Sequence, residues 1–228
     1  MAHTSHVRPA DFNTLRLIWR PKVRTLRWVV GTLSKSDDSY QFVYDGEDLV
    51  VAKAAGFSGY PGMDDLTATY NGQAINSFET RMPSRERPDL DQILAAWGAN
   101  ASMTNFQILG LTFASLPTDL FELIPVIPPE RGVYFYSNLA GIQEFAGSEV
   151  FRLLPPGTAL ELESDSTNEF DCHAVSVSYS GCRVAYIKRV HCESVCLAMK
   201  NGIDVAAELV RARINGIINE VVVKITYT

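Results

Sequence analysis

The stretch Asp165-Ser166-Thr167-Asn168-Glu169-Phe170-Asp171-Cys172-His173-Ala174-Val175-Ser176-Val177-Ser178-Tyr179 decides how the second half of the chain is read. A polar run rich in Asp, Ser and Asn gives way to alternating apolar and polar residues. Asn and Asp bond their own backbone and build turns. Strict alternation marks a strand with one dry face. Ser180-Gly181 then supplies hairpin chemistry, and Cys182–Ile187 returns as the next strand.

Working outward, Val133–Tyr136, Ala159–Glu163, Val205–Ile214 and Val221–Tyr227 read as further strands. Pro155-Pro156-Gly157 is a turn. Glu193–Lys200 reads as a short helix, with Asn201-Gly202 as its C-cap. Short strands separated by regular turns point to a small β-barrel or sandwich. Toward the N-terminus, Ile127-Pro128-Pro129-Glu130 is the best boundary, because two prolines stiffen the chain between apolar segments.

Before that boundary, Leu15–Val30 reads as two short strands around Pro21, and Tyr40–Tyr44 as another. Leu49–Ala55 fits either strand or short helix. Residues 56–66 and 71–77 are glycine-rich and read as loop. Pro88–Trp97 places Leu90, Ile93, Leu94 and Trp97 at helical spacing, with Gly98 just past the end. Asn105–Ala114 is the second expected helix. The expectation is an α+β protein: a β-rich module with two helices over 1–126, then a small β-barrel over 127–228.

Composition narrows the function classes. The chain has 228 residues, 46% of them hydrophobic and 20% charged, with a net charge of −6. That excludes a disordered chain. The acidic balance argues against a sequence-blind polyanion binder, while leaving room for a local basic site. No apolar run approaches the ~18–20 residues of a membrane-spanning helix. The N-terminus has no signal-peptide pattern, so a cytoplasmic protein with reduced thiols and no membrane partner is expected.

Nucleotide-loop, dinucleotide-loop, nucleophile-elbow and zincin motifs are absent from the sequence. No catalytic residue is assigned, and no enzyme activity or cofactor is expected. Asp64-Asp65 and Asp89/Asp91 read as solvated carboxylates. Cys172, His173, Cys182, His191, Cys192 and Cys196 cluster in sequence. They lack a CxxC pair, and neighbours such as Cys172 and His173 on a strand would face opposite ways. The expectation is a β-core rather than a metal site. Arg16, Arg20, Lys22, Arg24 and Arg27 form a basic strip around Trp19 and Trp28. It reads either as a solvated strand face over core tryptophans or as a phosphate-facing strip.

The second half resembles the HIRAN family. Its pattern has a glycine-ended strand, then pG-x-L-x-L, then D-x-x-N-x-[YF]-D-x-x-A-[IV]-x-V, then a strand closing on a basic residue. This chain offers Gly141-Ile142, Pro156-Gly157-Thr158-Ala159-Leu160-Glu161-Leu162, Asp165…Asn168-Glu169-Phe170-Asp171…Ala174-Val175-Ser176-Val177, and Tyr186-Ile187-Lys188-Arg189. The resemblance spans roughly residues 133–215 and implies an OB-like barrel that binds single-stranded DNA at a 3′ end. It implies that Phe170 stacks on a base and Asp171 accepts from the terminal hydroxyl. Asn168 would shape the loop, and Lys188 and Arg189 would meet phosphates. Phe145 and Tyr186 complete the expected nucleic-acid-binding set. Gln143 and Glu144 stand where the family has an Arg-aromatic pair, and Ala185 stands for a usual glycine.

Residues 27–126 more loosely resemble the N-terminal region of HipA-type proteins. The likeness lies in Val30-Gly31-Thr32-Leu33, Tyr40–Asp45, Phe78–Pro83 and Thr118–Glu122. It implies an interaction module without a kinase core. The partners expected are therefore DNA, as a 3′ end or single strand, or alternatively a protein bound by a regulatory, defence or toxin–antitoxin subunit.

Overall fold

In the computed structural model the described residues are all except 1–6, 22–26, 38, 73, 96, 117–118, 146 and 215–218. They fall into two units. One is Phe12–Val126; the other is Ile127–Thr228 together with the described residues up to Asp11. β1 (Arg8–Pro9) pairs in parallel with the start of a strand at Val133, so it belongs to the second unit.

The first unit is built on β2 (Thr14–Trp19), β3 (Trp28–Ser36), β4 (Ser39–Val43), β5 (Thr69–Asn71) and β6 (Phe121–Pro125). The sheet order is β5-β4-β3-β2-β6. Four helices accompany it among the described residues: α1 (Leu49–Ala54), α2 (Ala74–Glu79), α3 (Leu90–Ala95) and α4 (Asn105–Leu111). Leu15, Leu17 and Leu33 are fully buried beneath them.

α1 takes the helical of the two readings open for residues 49–55, whereas α2 stands where the glycine-rich 71–77 segment reads as loop, for a clear physical reason. Phe78 is completely buried, 4.5 Å from the Tyr60 ring and 5.5 Å from Phe42. Burying one aromatic outweighs weak local helix propensity. α4 starts on a capping box between Thr104 and Gln107. It stops short of Ala114 because Phe113 and Ala114 take positive φ angles of 56° and 43°.

A buried guanidinium ties this unit together. The Arg81 side chain is 2% exposed and pairs with Asp119. Its Nε donates to Ala114 O at 2.7 Å and its Nη2 to Phe121 O at 2.7 Å. The basic strip resolves toward the core reading where it is described. Trp19 and Trp28 are buried with rings 5.6 Å apart. Arg20 and Arg27 lie 3.6 and 3.5 Å from the buried carboxylate of Glu122. Lys22 and Arg24 lie outside the described residues.

The second unit is a closed barrel. Its strands are β7 (Val133–Ala140), β8 (Ala159–Ser164), β9 (Val175–Tyr179), β10 (Cys182–Ile187), β11 (Val205–Ile214) and β12 (Asn219–Tyr227). The order β7-β10-β9-β8-β11-β12 returns to β7, so six strands close into the OB-like β-barrel of an α+β chain. α5 (Gly147–Leu153) and α6 (Arg189–Lys200) join the barrel. The β9–β10 hairpin turns on Ser180 and Gly181, both at positive φ, which matches the twist of its strands. α6 begins earlier than expected and buries His191, Cys192, Val195, Cys196 and Ala198. Among the described residues, no helix is long and apolar enough to cross a membrane.

The three tryptophans of the chain are Trp19, Trp28 and Trp97, all in the first unit. Tryptophan fluorescence therefore follows that unit alone. Arg81→Met strands Asp119 and two carbonyls, so it is expected to cost about 3 kcal/mol. A urea midpoint unchanged from wild type by that signal contradicts the assignment.

Candidate nucleic-acid interface

The loop between β8 and β9 is held by its own polar side chains. Asp165 N–H donates to Ala174 O at 2.7 Å and closes the base of the loop. Asn168 Oδ1 accepts from the N–H groups of Phe170 (2.9 Å) and Asp171 (3.2 Å). Asp171 Oδ1 accepts from His173 N–H at 2.9 Å. Successive Asx turns of this kind fix backbone direction without a sheet ladder. Their result is that Phe170 is displayed outward, 87% exposed.

Asp165 anchors the loop to β10. Its Oδ2 accepts from the Tyr186 hydroxyl at 2.8 Å, and the Tyr186 hydroxyl oxygen in turn accepts from Arg183 Nη1 at 2.7 Å. The Arg183 guanidinium lies 5.2 Å from the centroid of the Tyr186 ring and 3.4 Å from Asp165 Oδ2. The Phe145 ring packs 5.7 Å from that of Tyr186.

The chain turns at Gly141, just before Phe145. The Gly141 φ is +68°, a conformation that favours glycine. A Cβ placed there would sit 3.5 Å from Phe145, 3.6 Å from Glu144 Oε2 and 3.7 Å from Tyr186. The Glu144 carboxylate thus stands beside the aromatic pair.

The expected residues divide as follows. Asn168, Phe170 and Asp171 share the loop, and Tyr186 with Phe145 forms a second aromatic element tied to it through Asp165. Arg189 is exposed at the first position of α6. Lys188 is only 3% exposed, which withdraws its side chain from the surface where a phosphate would lie. The cation beside the aromatic pair is Arg183, which the sequence reading passed over. Residues 183 and 186 fall on opposite faces of a regular strand. A register shift between Arg183 and Ala185 inserts one extra residue and turns both to the same side.

The Cys/His cluster also departs from expectation. Cys192 and Cys196 are buried, while Cys172 and Cys182 are exposed. Burial pushes the Cys192 thiol up to about 12. Cys172 and His173 precede β9 in a turn rather than pointing to opposite strand faces, and their side chains come together, Sγ 3.6 Å from Nδ1.

The Thr167 hydroxyl and then the Tyr186 hydroxyl hold the Asp165 carboxyl below its ordinary 3.8, with the Arg183 charge adding to them. Burial, with the Asp165 carboxylate behind it, holds the Tyr186 phenol above its ordinary 10.0. A carboxyl lowered on folding stabilises the loop above its unfolded value. That contribution disappears as pH falls through the lowered folded value. Carboxyl NMR should therefore show Asp165 titrating below 3.8. Thr167→Ala is expected to move it back furthest and Tyr186→Phe less; an unmoved midpoint in both contradicts the network.

No protein-family model and no curated protein matches the chain. Among solved structures it is similar to the HIRAN domain of human HLTF, at 17% identity and a TM-score of 0.35 over 41% of this chain and 74% of that one. It is similar also to a Lactobacillus plantarum protein, at 18% identity and a TM-score of 0.35 over 40% of this chain and 89% of that one.

Proposed function

We propose that the barrel unit is a non-catalytic module for single-stranded nucleic acid that takes DNA ends on the face formed by the 165–171 loop, Phe145 and Tyr186. The observation that carries this reading is Phe170. A phenyl ring held 87% exposed by a purpose-shaped Asx loop gives up burial that would stabilise the fold. An aromatic face accepts any base, which makes it a stacking platform. Asp171 Oδ1 is engaged by His173 N–H, and its second oxygen is the acceptor assigned to a terminal hydroxyl. Arg183 and Arg189 are the phosphate contacts, and Asn168 holds the loop in shape.

One observation favours a second reading. Glu144 beside Gly141 puts negative charge next to the aromatic pair, on a chain of net charge −6. That charge suits a basic protein partner, with the barrel as the scaffold of a regulatory or defence subunit.

Fluorescence anisotropy with labelled single-stranded DNA separates the two. The expected result is tighter binding to a free 3′-hydroxyl than to a 3′-phosphate, with the preference lost in Asp171→Ala. Phe170→Ala should weaken binding to both probes by about 1–3 kcal/mol. Two arginine contacts predict a salt slope of about −1.4. No binding to either probe at low salt overturns the nucleic-acid reading and leaves the protein partner.

A further inference from the structure

Asp171, Cys172 and His173 each offer one metal-ligating atom, and these atoms lie within 4.8 Å of one another. Three consecutive side chains converge because this segment is a turn. The His173 N–H bond to Asp171 Oδ1 folds the backbone back, and the strand alternation starts only at Val175. Two of the three spacings compare directly with a zinc shell. Tetrahedral zinc with its usual bonds to sulfur and nitrogen separates those two ligands by about 3.6 Å. Cys172 Sγ and His173 Nδ1 stand 3.6 Å apart, within reach of a thiol–imidazole hydrogen bond. Asp171 Oδ1 and His173 Nδ1 are 4.0 Å apart. A carboxylate ligand would sit about 3.4 Å from the imidazole nitrogen, so this pair needs to close by about 0.6 Å.

We propose that this turn is a binding site for a zinc-class divalent cation. A thiolate, an imidazole and a carboxylate form a borderline-soft set that suits zinc and not the all-oxygen preference of calcium or magnesium. Three protein ligands leave the fourth position to water or an incoming oxygen donor. Access is direct, since Cys172 is exposed and the His173 side chain is 42% exposed. The remaining thiols are placed differently. Cys192 Sγ donates to Ile187 O at 3.3 Å and Cys196 Sγ lies 3.6 Å from Ser164 Oγ, both buried, while Cys182 opens β10. Binding releases the Cys172 thiol proton to solvent and changes no oxidation state.

The test uses the full chain, reduced and freed of metal by a chelator, and titrated with Co²⁺ in the absence of nucleic acid. The expected result is a thiolate-to-cobalt charge-transfer band that saturates at one equivalent and is displaced by Zn²⁺. Cys172→Ser should abolish the band, His173→Ala should weaken binding by at least ~10-fold, and Cys182→Ser should change nothing. Cys172 is exposed, so the serine variant keeps the wild-type far-ultraviolet circular dichroism. A wild-type titration without the band, a band that survives Cys172→Ser, or one lost in Cys182→Ser overturns the site. Because no DNA is present, this outcome is independent of the nucleic-acid reading.

Discussion

Both edges of β7 are used, and the barrel and its candidate site depend on that strand. Along one edge it pairs with β12 from Val133↔Tyr227 to Asn138↔Val222. Along the other, β1 takes its first two residues and β10 its last two. The alternation is strict: Val133, Phe135, Ser137 and Leu139 face inward and are buried. A slip of one residue would turn this whole set outward, so closure and register are one constraint. The site follows from it. Pairing sets Tyr186 opposite Ala140, and Gly141 turns immediately afterward to lay Phe145 against the Tyr186 ring. The aromatic pair is a product of barrel closure rather than of any local motif.

The unit Phe12–Val126 solves a different problem. Its sheet is open, and its interior is crowded with aromatic rings and polar groups that need partners. Tyr44 shows how this is managed. Its hydroxyl donates to Met63 O at 2.6 Å and accepts from Tyr60 N–H at 2.7 Å. Burial pushes that phenol up to about 12 and keeps it protonated as a donor. Arg81 does the same with a charge, satisfying backbone carbonyls that no ladder reaches. Buried cations are tolerated where every donor has an acceptor. The price is that such groups hold the unit together only as a set.

What was legible in the sequence were the features written in periodicity and turn chemistry. The strands of the barrel, the Ser180-Gly181 hairpin, the Asx loop and the helices around Leu90 and Phe106 all show in local pattern. What was hidden depends on contacts distant in sequence. α2 exists because Phe78 is buried against Tyr60 and Phe42. Arg183 joins Tyr186 only through a bulge, which breaks the period-two rule that any strand reading must use. Lys188 reads as a surface cation at the end of a strand, yet it is drawn in where α6 begins. Adjacent residues face opposite ways only inside a strand, and Cys172 and His173 lie in the turn before β9.

That last difference matters most for chemistry. Asn168 sets where the loop turns, the turn sets where Phe170 and Asp171 project, and Asp171 in turn bends the chain so that Cys172 and His173 meet. One polar network therefore supports two proposals, and they share a residue. The Asp171 carboxylate assigned to a terminal hydroxyl is also the oxygen donor assigned to a cation. A cation ligated by Asp171 takes up the acceptor that would meet a nucleic-acid end, unless its open fourth position takes the hydroxyl instead. Binding linkage makes either effect reciprocal: whatever the cation does to the affinity for an end, the end does to the affinity for the cation. The sign of that coupling is set by whether Asp171 or the metal holds the hydroxyl, a choice made within a single turn of the chain.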